Sequence, residues 1–181
     1  MTGSSDFLDF GFVLWLIPEP ASENLIQEEI NNLAQQLGGP VFRPHLTLVT
    51  HIEKREPAVL ELFQEKLKLL SEIDLEFIKV STRNTYFQSV FLQASSTSFI
   101  MNLNIELRKM FEVEGTHFFN PHLSLFYGVL SAPKFKIASR LLSTTLPIKI
   151  RFDRIECHRI EGSMSSWKKI SSQPLCSDSK N

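Results

Sequence analysis

Pro44-His45-Leu46-Thr47-Leu48 returns seventy-seven residues later as Pro121-His122-Leu123-Ser124-Leu125, and this near-verbatim repeat decides the fold. Each copy alternates apolar and polar residues over the length of a short strand, and each follows a segment of helical period. The residues ahead of them rhyme as well, Val41-Phe42-Arg43 against Phe118-Phe119-Asn120. A duplicated half-domain leaves this mark: two equivalent central strands side by side about a pseudo-two-fold axis. On a strand, residues i and i+2 share a face, so His45 and Thr47 point one way and Leu46 and Leu48 the other. The same holds for His122 and Ser124 against Leu123 and Leu125. Helices can then cover the leucines while two imidazoles and two hydroxyls converge in the groove between the halves.

The rest of the chain supplies the elements that frame such a groove. Phe10 to Ile17 is a short apolar run closed by Pro18 and Pro20, with the length and content of a central strand. Ser22 reads as the N-cap of a helix whose apolar positions run from Leu25 to Leu37 and stop at Gly38-Gly39. Glu56-Pro57 opens a second helix. Ile73 to Ser81 and Tyr86 to Ala94 pair as a hairpin across Thr82–Thr85, and Ser98 to Phe111 is again helical. Pro133 to Leu142 reads as a short helix, Ile148 to Ile160 as one or two strands, and Trp167 to Ile170 as a last strand. Strands outnumber helices and several neighbours must pair antiparallel, so the class is α+β rather than doubly wound. Residues 1–181 read as one bilobal domain with flexible ends at 1–8 and 171–181.

Composition narrows the function. The chain has 181 residues, 43% apolar and 22% charged, which excludes disordered, collagenous and disulfide-scaffold proteins. Lys plus Arg is 19 against 20 for Asp plus Glu. That near-neutral balance lacks the basic footprint of a protein tracking a long nucleic acid, yet leaves room for a small phosphorylated ligand. The glycines form neither a G-x-G-x-x-G nor a G-x-x-x-x-G-K loop, which excludes Rossmann and P-loop nucleotide binding. Cys157 and Cys176 read as free thiols of a reducing compartment, with one bridge as the alternative. No signal h-region or membrane span is found, so a cytoplasmic monomer without membrane contact is expected.

Two histidines facing each other can divide labour near neutral pH, one neutral as base and one protonated as acid. The hydroxyls of Thr47 and Ser124 are neutral donors suited to the non-bridging oxygens of a phosphodiester. A lone His on a strand is usually a satisfied polar residue; its repetition in identical context argues for a shared site. A zinc centre would need three or four converging ligands, and neither motif offers a His-x-x-x-His, a Cys pair or an acidic partner. A Ser–His nucleophile within one motif is disfavoured because side chains two apart on a strand run parallel, roughly 6–7 Å apart at Cα.

Paired His-x-Thr/Ser motifs at this separation resemble those of the two-histidine (2H) phosphoesterases, most closely the small fungal and plant cyclic phosphodiesterases. The resemblance spans about Phe10 to Ile170 and includes Trp15 on the first strand, Tyr127 in Ser-Leu-Phe-Tyr-Gly128, Tyr86–Leu92 and Trp167-Lys168. It implies a bilobal fold and hydrolysis of a cyclic phosphate without metal or other cofactor. ADP-ribose 1″,2″-cyclic phosphate would give ADP-ribose 1″-phosphate, and nucleoside 2′,3′-cyclic phosphates would give 2′-phosphates. The catalytic pair is His45 and His122, with Thr47, Ser124, Tyr127 and Trp15 binding the small-molecule substrate. His122 is taken as base and His45 as acid, although the symmetry of the motifs does not separate them. Trp15 would stack on a base or ribose, or else pack in the core. Strand parity turns Tyr127 away from His122, so its place in the site requires the strand to end or bend at Phe126–Gly128.

Arg43 shares the face of His45 and would meet a second phosphate or lie solvated at the rim. His51 reads as a surface loop residue, and His117 and His158 as incidental. Two alternatives remain open: a phosphoesterase for RNA 2′,3′-cyclic ends or 2′-5′ linkages, and a non-catalytic nucleotide-binding module.

Overall fold

The computed structural model describes residues 10–115, 118–131, 134, 138, 142 and 145–177. Along them run β1 (Phe10–Pro18), α1 (Pro20–Leu37), β2 (Leu46–Ile52), α2 (Glu56–Lys66), β3 (Ile73–Thr82), β4 (Val90–Ala94), α3 (Ser98–Met110), β5 (His122–Phe126), β6 (Ile148–Glu161) and β7 (Lys168–Pro174). Every pairing between these strands is antiparallel. The α+β class expected from the element order is the one observed.

The duplication is realised through one shared strand. β6 pairs with β3 over Ile148–Phe152 and with β1 over Phe152–Glu161, while β7 adds along Arg154–Arg159. The first half therefore reads β2-β1-β6-β7 and the second β5-β4-β3-β6. Each half ends in one motif strand, and these two terminal strands, β2 and β5, lie against each other at the centre.

Parity along β1 shows how the layers form. Phe12, Leu14 and Leu16 belong to the main core beneath the helices, with Ile26, Ile30 and Leu33 of α1 above them. Val13, Trp15 and Ile17 face the other way and form a small separate cluster with Ile160. This alternation assigns Trp15 to the open side of the sheet. Burying one Leu, Ile or Phe in the main core contributes about 1.5–3 kcal/mol, so the leucines of both motifs fix the register of their strands. Leu46, Leu48, Leu123 and Leu125 are each 0–1% exposed.

Several elements differ from the sequence reading. α1 starts at Pro20, not after Ser22, because Pro at the first helical position has a preset φ and no N–H to satisfy. Its C-cap is Gly38 at φ 78°, a left-handed conformation glycine adopts without strain, and the Gly38 N–H closes on Ala34 O at 2.9 Å. Tyr86–Gln88 is a short 3₁₀ turn rather than the start of a strand. The last strand runs further than Ile170. Ser171–Pro174 belongs to β7, and Cys176 exchanges backbone hydrogen bonds with Leu70 and Glu72, both 2.9 Å. An available β6 edge and the Ser71 bridge give that backbone its partners. The helix read at 133–142 lies largely outside the described residues, as do His117 and residues 1–8. Cys157 is buried and Cys176 exposed, and both are free thiols.

Candidate active site

The two motif strands carry the same irregularity at the same place, and it builds the site. Between β1 and β2, Trp15 pairs with Thr47 and Leu14 with Val49, leaving Leu48 as an extra residue. Between β4 and β5, Phe91 pairs with Ser124 and Val90 with Phe126, leaving Leu125 as the extra residue. A bulge of one residue reverses the parity of the residues beyond it. His45 and Thr47 therefore face the groove, Val49 returns to the core, and Thr50 faces the groove again. In the second half Phe126 enters the core and Tyr127 lines the groove. The bend required for Tyr127 is this bulge. Gly128 comes next at φ 147°, a positive value that favours glycine, with its N–H bonded to Tyr86 O at 2.9 Å.

All six residues singled out in the sequence line one cleft of about 560 Å³: Trp15, His45, Thr47, His122, Ser124 and Tyr127. Both imidazoles are held alike. His45 Nδ1 lies 2.7 Å from Arg43 O and His122 Nδ1 lies 2.7 Å from Asn120 O. A carbonyl can only accept, so each Nδ1 carries the proton, and each neutral ring turns a bare Nε2 toward the cleft. Each ring also rests on an aromatic partner from the neighbouring strand. Trp15 stacks on His45 with centroids 3.8 Å apart, and Phe91 meets His122 edge-on at 5.2 Å.

Burial keeps both imidazoles uncharged. His45 is pushed down from 6.5 to about 3, chiefly by burial, with His158 and His122 adding to the effect. His122 is also lowered, first by burial and then by the nearby Arg83 charge. Tyr127 donates its hydroxyl to His45 Nε2 at 3.3 Å, and burial raises the phenol's own pKa. The ring is fixed by Phe42, stacked on it at 3.7 Å, and by the edge of Phe87 at 5.2 Å.

The two hydroxyls are not equivalent. Thr47 is half-buried and its hydroxyl makes no hydrogen bond among the described residues, so that proton is available to a ligand. Ser124 is 5% exposed and donates to Phe87 O at 2.8 Å.

Arg43, His158 and His51 take places other than those read from the sequence. Arg43 is not a free cation: it meets Glu23 at 2.5 Å and Glu156 at 2.8 Å. His158 is not incidental. It is buried against the other side of Trp15 at 3.9 Å and bonds Glu156 at 2.9 Å. Burial alone would raise the Glu156 carboxyl, but His158, Arg43 and Lys169 hold it down at about 2. His51 lines the cleft instead of a surface loop, because a second bulge near Ile52 holds it in β2 at φ 61°.

Sequence reading missed Phe91 and placed Asn120 only as the counterpart of Arg43. Phe91 stands thirty-three residues before Ser124, much as Trp15 stands thirty-two before Thr47, and that interval was the available signal. Among the described residues, no three His, Cys, Asp or Glu side chains converge as a metal-ion site, and no helix is long and apolar enough to cross a membrane.

Comparison with known proteins agrees with this architecture. A family model described as cyclic phosphodiesterase-like protein matches residues 10–172. A cyclic phosphodiesterase of Arabidopsis thaliana is 27% identical over 127 residues, covering 70% of each chain. Among solved structures, TT0787 of Thermus thermophilus superposes with a TM-score of 0.65 at 15% identity, over 92% of this chain and 98% of that one. LigT of E. coli complexed with 3′-AMP does so with a TM-score of 0.62 at 14% identity, over 91% and 97%. At such identities the two structures speak for the fold alone.

Proposed function

Because the chain belongs to the cyclic phosphodiesterase-like protein family, we propose that it hydrolyses five-membered cyclic phosphates by paired histidine acid–base catalysis without a metal. The reading rests chiefly on one observation: two imidazoles on equivalent strands, each locked through Nδ1 and so unprotonated at Nε2, line the same cleft.

A cyclic phosphate seated between the motifs is attacked in line by water. His122 takes the proton of that water, because its Nε2 has no side-chain partner among the described residues. The new P–O bond forms as the bond to the leaving ribose oxygen breaks, and His45 delivers a proton to that oxygen. His45 must first acquire this proton, and the bound phosphoryl anion supplies the field that favours it. Thr47 donates to a phosphoryl oxygen as charge grows there. Ser124 must release Phe87 O to do the same. Tyr127 and Trp15 hold the His45 ring in place.

The substrates we propose are ADP-ribose 1″,2″-cyclic phosphate, opened to the 1″-phosphate, and nucleoside 2′,3′-cyclic phosphates, opened to 2′-phosphates. LigT of E. coli has been crystallised with 3′-AMP and with ATP, and nucleotides of this size suit a cleft of about 560 Å³. The test is turnover of a nucleoside 2′,3′-cyclic phosphate in excess EDTA, with the product isomer identified by chromatography. A single 2′-phosphate product is expected. Loss of turnover in EDTA, restored by a divalent cation, would overturn the metal-free mechanism.

A further inference from the structure

Glu156 is 1% exposed on β6, directly across from Trp15 in the β1–β6 register. A buried charge is costly to desolvate, and pairing it often does no more than restore the balance. What Glu156 does fix is geometry, because its two oxygens take different partners and both partners lead to His45. Oε1 accepts from Arg43 Nη1 at 2.8 Å, and the Arg43 carbonyl is the acceptor that holds His45 Nδ1–H at 2.7 Å. Oε2 accepts from His158 Nε2 at 2.9 Å. The His158 ring backs Trp15 at 3.9 Å, and Trp15 in turn stacks on His45 at 3.8 Å. The first arm sets the tautomer of the His45 ring and the second its plane. A carboxylate accepts at both oxygens, whereas an amide offers one acceptor and turns a donor on the other partner. Of Glu and Gln, only the ionised acid can hold both arms at once.

The second half repeats the first arm with different chemistry. Asn120 stands two residues before His122, as Arg43 does before His45, and its carbonyl likewise holds Nδ1–H at 2.7 Å. Its side chain is tied to β4, where Gln93 Nε2 donates to Asn120 Oδ1 at 2.6 Å and to Pro121 O at 3.1 Å. Both halves therefore clamp the residue whose carbonyl carries the imidazole. An acid of β6 does so for His45 and a neutral amide of β4 for His122.

We propose that Glu156 is the positioning residue of His45: through Arg43 it fixes the carbonyl that orients the imidazole, and through His158 and Trp15 it fixes the plane of the ring, so that one tautomer and one orientation persist during proton transfer. This rests on the cyclic phosphodiesterase reading. Glu156 is not among the described residues lining the cleft, so it acts only through these neighbours.

The experiment pairs NMR of the histidine side-chain nitrogens, read without substrate, with kcat and KM for a nucleoside 2′,3′-cyclic phosphate. Wild type should show His45 and His122 both protonated at Nδ1. Glu156→Gln should turn His45 toward a mixture of tautomers and leave His122 unchanged. It should also lower kcat about tenfold with KM changed less than about twofold, as small misplacements of a reacting group do. Gln93→Met should show the reverse, disturbing His122 and sparing His45, whereas a general loosening of the fold would move both rings together. If Glu156→Gln does not fold, Arg43→Met carries the test. It cuts the first arm while Glu23 keeps Arg154 and Glu156 keeps Lys169 and His158, and it should disturb His45 alone and lower kcat. Wild-type His45 signals in the folded variant, equal disturbance of both histidines, or a KM effect without a kcat effect would overturn the proposal. The spectra need no turnover, so failure of wild type to hydrolyse any cyclic phosphate would count against the function while the His45 signals still decide the positioning.

Discussion

Burial of a neutral imidazole at His45 makes a definite prediction for stability. The folded pKa is about 3 against an ordinary value of 6.5, so between those values the unfolded chain binds a proton that the folded chain refuses. Stability from this residue is complete above pH 6.5 and is lost as pH falls toward 3. At pH 5 the loss is about 2 kcal/mol, from roughly 1.5 units at 1.36 kcal/mol each. Replacing His45 with Asn removes the titration while keeping a donor for Arg43 O. Urea unfolding at pH 7.5 and pH 5 should therefore show wild type losing about 2 kcal/mol more than His45→Asn between the two conditions. Since His122 is lowered in the same direction, the double variant should flatten the dependence further. An unchanged pH difference in His45→Asn would refute the claim that the fold holds this ring neutral.

The remaining predictions concern the site. Thr47→Val should lower kcat about 10²-fold or more, the scale of one lost donor to a developing charge, with KM changed less. Ser124→Ala should show a smaller kcat effect together with about 1 kcal/mol of lost stability, because its hydroxyl also serves Phe87 O. Glu156→Gln should lower the unfolding free energy by about 2–3 kcal/mol in denaturant melts, since it leaves Arg43 and His158 facing an uncharged group. In wild type that carboxylate stabilises the fold above its ordinary pKa of 4.5, and the contribution is lost as pH falls through about 2. The kcat–pH profile should be bell-shaped. A phosphoryl anion bound beside His45 raises its pKa by favouring the charged ring, while His122 must stay neutral to act as base, so one limb belongs to each imidazole. A profile flat from pH 5 to 9, with product release shown to be fast, would speak against paired imidazoles.

The repeat of Pro-His-Leu-Thr/Ser-Leu carried most of the site, because a two-residue period ties each hydroxyl to the face of its histidine. The open-side position of Trp15 comes from the same alternation once β1 is seen to cover the core through Phe12, Leu14 and Leu16. Tyr127 was hidden by that rule, since a bulge at Leu125 adds one residue and reverses the face, and no residue type announces a bulge of this kind. Arg43 misled because exposure of a cation cannot be judged before the carboxylates of α1 and β6, both distant in sequence, are brought beside it. His158 and Glu156 escaped notice for the same reason, as their importance lies in packing behind Trp15 rather than in any local pattern. The shared strand β6 had no sequence signature beyond its length.

The most direct test of the paired-histidine account is single-turnover hydrolysis of a nucleoside 2′,3′-cyclic phosphate by wild type, His45→Ala and His122→Ala, with EDTA present and folding checked by circular dichroism. The account predicts that wild type opens the ring to one 2′-phosphate product and that each variant, still folded, loses at least about 10²-fold in rate. Wild-type turnover that persists near its full rate in either folded variant would contradict it.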